Sequence, residues 1–152
     1  MANILITEDE KIIAEDLKLT LQKVGHRIAA ICASGEEAVV KAKELHPDII
    51  LMDIKLEGEI DGIEAAKSIR KYLNTPIVFC TAYAENSTLE KVSCINSYAY
   101  LTKPFDDSEL LFIINKILNN TKIDQTRVTK TSRNSKNPFK FITHEMIPQI
   151  AK

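Results

Sequence analysis

No apolar run in this sequence approaches the ~20 residues that a bilayer-spanning helix needs, so a helical membrane protein is excluded. The first residues, Met1-Ala2-Asn3-Ile4-Leu5-Ile6, offer neither a charged leader nor a cleavage site, and no secretory signal is expected. Cysteine is scarce. Cys32, Cys80 and Cys94 are an odd number without the spacing of a metal site, and they read as reduced, buried thiols of a cytoplasmic protein. No internal repeat of roughly 20–50 residues is present, which excludes a solenoid. What remains has 45% hydrophobic and 27% charged residues over 152 positions. That balance suits one globular domain with a substantial core and a short extension.

The net charge of −1 conceals an asymmetry. Residues 1–120 hold 13 Lys and Arg against 19 Asp and Glu, whereas residues 121–152 hold 7 against 2. A domain boundary is therefore expected near Asn119-Asn120. From Thr121 to Asn137 the chain is polar without apolar periodicity, as in a largely disordered linker. A basic tail can touch nucleic acid or anionic lipid, but charges this dispersed are expected to belong to a solvated linker. Pro138 to Ile150 regains enough apolar residues for a docking segment and too few for a domain.

Before that boundary, five short aliphatic runs alternate with five amphipathic stretches. Ile4-Leu5-Ile6-Thr7 precedes a helical pattern that Gly25 stops. Arg27 to Cys32 is a second strand, and Ser34 caps the helix after it. Ile49-Ile50-Leu51-Met52 is wholly apolar, as a central parallel strand covered on both faces should be. A helix through Ile63, Ala66, Ile69 and Leu73 follows, then the strand Ile77 to Cys80 and a short helix through Leu89, Val92 and Ile95. A strand from Tyr98 to Leu101 and a helix from Glu109 to Leu118 complete the series. Strict βα alternation predicts a parallel sheet with right-handed crossovers and helices on both faces.

In such a sheet, functional groups gather at the carboxyl ends of the strands. Those ends read Thr7-Glu8-Asp9, Asp53, Thr81 and Lys103. Each residue alone has an ordinary explanation as a cap, a strand end or a solvated charge. Together they place three carboxylates, a hydroxyl and an ammonium on one rim. Clustered carboxylates repel unless a cation joins them. Oxygen ligands without His or Cys point to a hard ion, and Mg2+ fits because it keeps positions for water and phosphate. A carboxylate beside that ion can attack a phosphoryl group. Lys103, Mg2+ and the Thr81 hydroxyl would each take one phosphoryl oxygen.

The segments ILITEDE, ILMDIKLEGEIDGIEA, PIVFCTAYA and YAYLTKPF resemble the marker segments of CheY-like response regulator receiver domains, in register from about Asn3 to Leu118. The resemblance implies a flavodoxin-like (βα)5 sheet with strand order 2-1-3-4-5; CheY is the example that general rules for doubly wound folds already cite. It also implies that Asp53 is the phosphoacceptor and Glu8 and Asp9 the acidic pair. The Lys55 backbone carbonyl would complete the Mg2+ site, with Thr81 as switch hydroxyl and Lys103 as phosphate-pairing lysine. Lys103-Pro104 matches a peptide that is cis in the family. Tyr100 matches the family's switch aromatic, with Ala82 leaving room for its motion. Lys55 and Tyr83 would flank the path of the attacking water and crowd it, so a long-lived phosphorylated state is expected.

Two features depart from the family pattern. The stretch Asp53-Ile54-Lys55-Leu56-Glu57-Gly58-Glu59-Ile60-Asp61-Gly62 is one residue longer than usual and lacks its proline, which predicts a more mobile loop. Glu8 stands where an aspartate is usual and is expected to reach a metal through water. On the last helix, Leu110, Leu111, Ile114, Ile117 and Leu118 are expected to face the core. Phe112 and Ile113 would then be exposed beside Tyr100 as a surface for a downstream protein.

The resulting expectation is a receiver that accepts a phosphoryl group from a cognate histidine kinase and signals by protein contact. It would catalyse only its own phosphorylation and dephosphorylation. A relay intermediate or one module of a larger hybrid kinase pathway is the alternative. A haloacid-dehalogenase-type phosphatase fits poorly. It needs a second Asp two residues after the nucleophile, where Lys55 stands, and a nucleophile on the first strand. A flavin carrier is disfavoured because Thr7-Glu8-Asp9-Glu10 would repel a phosphate in the absence of metal.

Overall fold

The computed structural model describes residues 1–82, 86–93, 95 and 99–123. Five strands, β1 (Asn3–Thr7), β2 (Arg27–Cys32), β3 (Ile49–Asp53), β4 (Ile77–Thr81) and β5 (Ala99–Thr102), form one sheet. They alternate with the helices α1 (Lys11–Lys23), α2 (Gly35–Leu45), α3 (Gly62–Arg70), α4 (Asn86–Ser93) and α5 (Asp107–Ile123). The strand order is 2-1-3-4-5 and the paired strands are parallel. The parallel sheet is the one the alternation predicted, and its flavodoxin-like order is the one the resemblance implied.

The period of two along each strand divides the core. Ile4, Ile6, Ile49, Leu51, Val78, Cys80, Ala99 and Leu101 pack with α1 and α5 on one face. Leu5, Ile50, Met52, Ile77, Phe79 and Tyr100 pack with α2, α3 and α4 on the other. Because both faces are covered, every residue of β3 and β4 is buried. Central parallel strands read as unbroken apolar runs for this reason.

Helix termini follow the local chemistry. Gly25, at φ 96°, closes α1 in a Schellman arrangement: its N–H donates to Gln22 O, and the His26 N–H donates to Leu21 O. Ser34 caps α2 by accepting from Glu37 N at 3.1 Å. Asp61 and Glu64 form a reciprocal capping box on α3.

The last helix corrects the expected phase. Its buried stripe is Leu110, Ile113, Ile114 and Ile117, while Leu111 and Leu118 are only partly covered. Ile113 is 0% exposed and belongs to the core, so it does not form a surface pair with Phe112, which is 38% exposed. The spacing i, i+3, i+4, i+7 marks a helix stripe, and a start at Leu110 selects Ile113 instead of Leu111. The helix also continues to Ile123, beyond the boundary expected at residue 120. The rest of the polar tail, residues 124–152, lies outside the described residues, as do Tyr83 and Cys94. Cys32 and Cys80 are free and buried. Among the described residues, no helix is long and apolar enough to cross a membrane.

A buried imidazole ties the start of the sheet to the turn before β2. His26 is 8% exposed, and its Nδ1 accepts a hydrogen bond from Ala2 N at 3.1 Å. Burial, with a smaller contribution from the charged amino terminus, lowers the pKa of this histidine. An acceptor Nδ1 requires the neutral ring. The unfolded chain binds a proton here below about pH 6.5, where the folded chain still resists it. Stability from this group is therefore complete above about pH 6.5 and is lost as pH falls towards the lower folded-state value. Thermal unfolding at pH 7.5 and pH 5.5 should show a larger acid-side loss for the parent than for His26→Asn. Equal losses would show that the ring does not govern this transition.

Candidate functional site

Each candidate side chain sits where an apolar strand runs out. Asp53 and Thr81 are the last residues of β3 and β4. Glu8 follows β1 and Lys103 follows β5. Backbone hydrogen bonds extend the strand geometry to both: Glu8 N donates to Cys32 O at 2.9 Å, and Lys103 N donates to Thr81 O at 2.7 Å. The Lys103–Pro104 peptide is cis, as the resemblance implied.

Lys103 lies at the centre of the constellation. Its Nζ donates to Asp53 Oδ2 and to Glu8 Oε1, both at 2.9 Å, so one ammonium bridges two carboxylates. Asp53 Oδ1 accepts from Lys55 N at 3.3 Å, and Glu8 Oε2 accepts from Glu10 N at 3.2 Å. Glu8 and Asp53 are 3% and 7% exposed, so these charges interact with little screening from solvent.

The electrostatics follow from that burial. Burial alone would lower the pKa of Lys103, but its hydrogen bonds and charge pairing with Glu8 and Asp53 outweigh it and raise the pKa above the ordinary range. The lysine is an ammonium at neutral pH. Burial raises the pKa of Glu8, with the Asp53 charge adding to the effect and the Lys103 hydrogen bond opposing it. Cys80, opposite Asp53 in the β3–β4 register, is pushed up to about 12 chiefly by burial. It is a thiol, not a competing thiolate nucleophile.

Three acidic groups converge here. Glu8, Asp9 and Asp53 each offer a carboxylate oxygen, and these atoms lie within 4.8 Å of one another. Two buried carboxylates and one half-buried one outnumber the single ammonium of Lys103 that bridges Glu8 and Asp53, an excess of negative charge over that lysine. An all-oxygen donor set with that excess fits a hard divalent ion such as Mg2+.

Thr81, the last residue of β4, is 1% exposed, while its neighbour Ala82 is exposed. Tyr100 is also 1% exposed, packed into the core with Phe79, Val92 and Ile95. Its ring therefore already points inward, and burial raises its phenol pKa. Of Tyr100, Phe112 and Ile113, the three residues expected to form a partner surface, only Phe112 is exposed.

The longer loop after Asp53 is not left free. Ile54, Leu56 and Ile60 pack against the core, Ser34 and Glu57 form a parallel bridge, and Glu59 N donates to Glu36 Oε2 at 2.8 Å. Glu36 was not among the candidates read from the sequence. In one dimension it is simply an acidic residue in the first turn of a helix, 23 positions from its partner.

The response regulator receiver domain model matches residues 4–115, and the chain belongs to that family. It is a receiver domain of two-component signalling systems. It is 38% identical over 108 residues to the transcriptional regulatory protein PdtaR of Mycobacterium tuberculosis, covering 71% of this chain and 52% of PdtaR. The chain thus spans about half the length of that relative. It is 34% identical over 115 residues to the chemotaxis protein CheY of Thermotoga maritima, covering 75% of this chain and 95% of CheY. Among solved structures it resembles the signal receiver domain of a modulated diguanylate cyclase from Desulfovibrio desulfuricans G20. That likeness has a TM-score of 0.75 and 34% identity, over 80% of this chain and 97% of the other.

Proposed function

We propose that Asp53 accepts a phosphoryl group from the phosphohistidine of a cognate histidine kinase, in the cytoplasm. The observation that carries this reading is the Lys103 ammonium held 2.9 Å from Asp53 Oδ2 inside a carboxylate cluster. An Asp53 oxygen attacks phosphorus as the P–N bond breaks, and the imidazole leaves with the bonding pair. The product is an acyl phosphate on Asp53. Lys103, already charged and pointed at the acceptor, pairs with a phosphoryl oxygen. The Thr81 hydroxyl donates to another. Glu8, Asp9, Asp53 and the Lys55 carbonyl would hold Mg2+, which supplies neutralising charge to an anionic donor.

Output follows from the same groups. A Thr81 hydroxyl drawn to the phosphoryl group alters the packing around the inward Tyr100 ring, biasing a two-state surface at β5 and its flanking helices. Phe112 is the exposed apolar member of that surface. The reading is of protein contact and not of nucleic-acid binding, with no enzymatic activity beyond the chain's own phosphorylation and dephosphorylation. A relay intermediate or a module of a hybrid kinase pathway would use the same site.

The test is incubation with acetyl phosphate and Mg2+, followed by intact-mass measurement. One phosphoryl group should add, and EDTA should prevent it. Labelling that persists at full rate in EDTA would remove the metal from the reading.

A further inference from the structure

We infer that Glu36, at the start of α2, is a positioning residue that holds the post-acceptor loop in register with Asp53. This inference rests on the phosphoacceptor and Mg2+ reading above. The loop leaves β3 at Asp53, passes Lys55 and returns to α3 at Gly62. It is one residue longer than the family pattern and lacks the proline that would stiffen it, so its shape must come from contacts elsewhere.

Those contacts converge on the α2 N-terminus. The Glu36 carboxylate accepts from Glu59 N at 2.8 Å, and the backbone N–H groups of Glu36 itself and of Ile60 also favour its charge. These N–H groups hold its carboxyl below the ordinary carboxylate range, its own backbone N–H contributing most, then that of Glu59. Gly58 adopts φ 97°, a left-handed conformation that places its α-carbon against the same carboxylate; a Cβ there would overlap Glu36 Oε1. Ser34 pairs with Glu57, and a Cβ on Gly35 would lie 2.8 Å from Ile60 Cγ1. The two segments therefore meet at close range along four consecutive loop residues.

Glu36 is exposed and lies outside the acidic rim. Its carboxylate instead receives loop N–H groups, and charge-assisted bonds of this kind are among the stronger ones available at a surface. Fixing residues 57–60 limits the excursions of Leu56 and Lys55, whose backbone N–H bonds to Asp53 Oδ1 and whose carbonyl is the expected metal ligand. The clamp does for this longer loop what a proline does in a shorter one.

The test compares the full chain with Glu36→Ala, Glu36→Gln and Gly58→Ala. Hydrogen exchange of the Glu59 and Ile60 amides is read without metal, Mg2+ affinity by titration calorimetry, and acetyl phosphate labelling across Mg2+ concentration. Glu36→Ala should speed exchange at both amides and weaken Mg2+ roughly tenfold, near the low end for loss of an outer-shell partner. Its labelling rate at saturating Mg2+ should match the parent, and its unfolding temperature should change little. Glu36→Gln, with one acceptor oxygen left, should fall between. Gly58→Ala should reproduce the Mg2+ defect with Glu36 intact. A Glu36→Ala variant that binds Mg2+ as tightly as the parent would overturn the positioning role alone. A parent that binds no Mg2+ would overturn the metal reading and this inference with it.

Discussion

Asp53→Asn is expected to reduce phosphoryl labelling to background, while the folded chain stays at least as stable as the parent. The carboxamide oxygen keeps the shape of the carboxylate but loses the charge that makes it a nucleophile and a metal ligand. A loss of only ~4 kcal/mol in transition-state stabilisation already lowers the rate about a thousandfold. Among the described residues, the Cys80 thiol is buried with its pKa pushed up to about 12, and Glu8 has both oxygens engaged by Lys103 and Glu10, so neither is poised to attack. The stability control distinguishes chemistry from unfolding. Glu8 and Asp53 share one ammonium, so neutralising Asp53 relieves a buried like-charge contact and leaves the Lys103–Glu8 pair intact. Intact mass after acetyl phosphate treatment and a thermal melt in EDTA give both answers. Undiminished labelling of this variant would falsify the acceptor assignment.

The second large effect is expected at Gly62. A Cβ at this position would overlap the Asp53 carbonyl oxygen and lie 2.9 Å from both Asp53 C and Ile54 Cα. Each of these neighbours is backbone, so no flexible side chain can yield. Gly62 N also donates to Ile54 O at 2.7 Å, which binds the first turn of α3 directly to the residue after Asp53. Gly62→Ala must separate α3 from the end of β3. Overpacking against rigid neighbours costs roughly 3 kcal/mol or more, which in a domain of this size lowers the unfolding temperature by about 10 °C. The acceptor moves with the strand end, so labelling should fall as well. Gly25→Ala is the natural comparison. Its φ of 96° strains any side chain, yet nothing lies within 4 Å of the added carbon. It should cost about 1 kcal/mol and leave labelling unchanged. Melting curves that place the two variants together would show that close approach at Gly62 is not the constraint.

The alternation of elements was legible because a buried parallel sheet leaves a one-dimensional trace. Runs such as Ile49-Ile50-Leu51-Met52 can be satisfied only between two helical layers, and the turns between them carry local signals at Gly25 and Ser34. The polar carboxyl rim was legible for a related reason. A polar residue directly after an apolar strand has no place in the core, so Glu8, Asp53, Thr81 and Lys103 stood out at the strand ends, where Lys103 meets Glu8 and Asp53. The phase of α5 was less secure, since every residue from Leu110 to Ile114 is apolar. Only contact with β1, β3, β4 and β5 selects Ile113 over Leu111.

By itself, the order of residues determined that Ile49 to Met52 is a strand covered on both faces, that Gly25 and Ser34 mark helix ends, and which residues follow the apolar strands, because each depends on neighbours within a few positions. Tertiary structure alone decided that Lys103 bridges Glu8 and Asp53, that Tyr100 lies inward, and that Glu36 holds the loop at Glu59. Those outcomes join groups separated by 95, 50 and 23 positions, or depend on the packing of a whole layer. A carboxylate carries no local mark of which distant N–H or ammonium will meet it. Its partner is set by how the layers close, and only then do hydrogen bonding and burial give the charge its role.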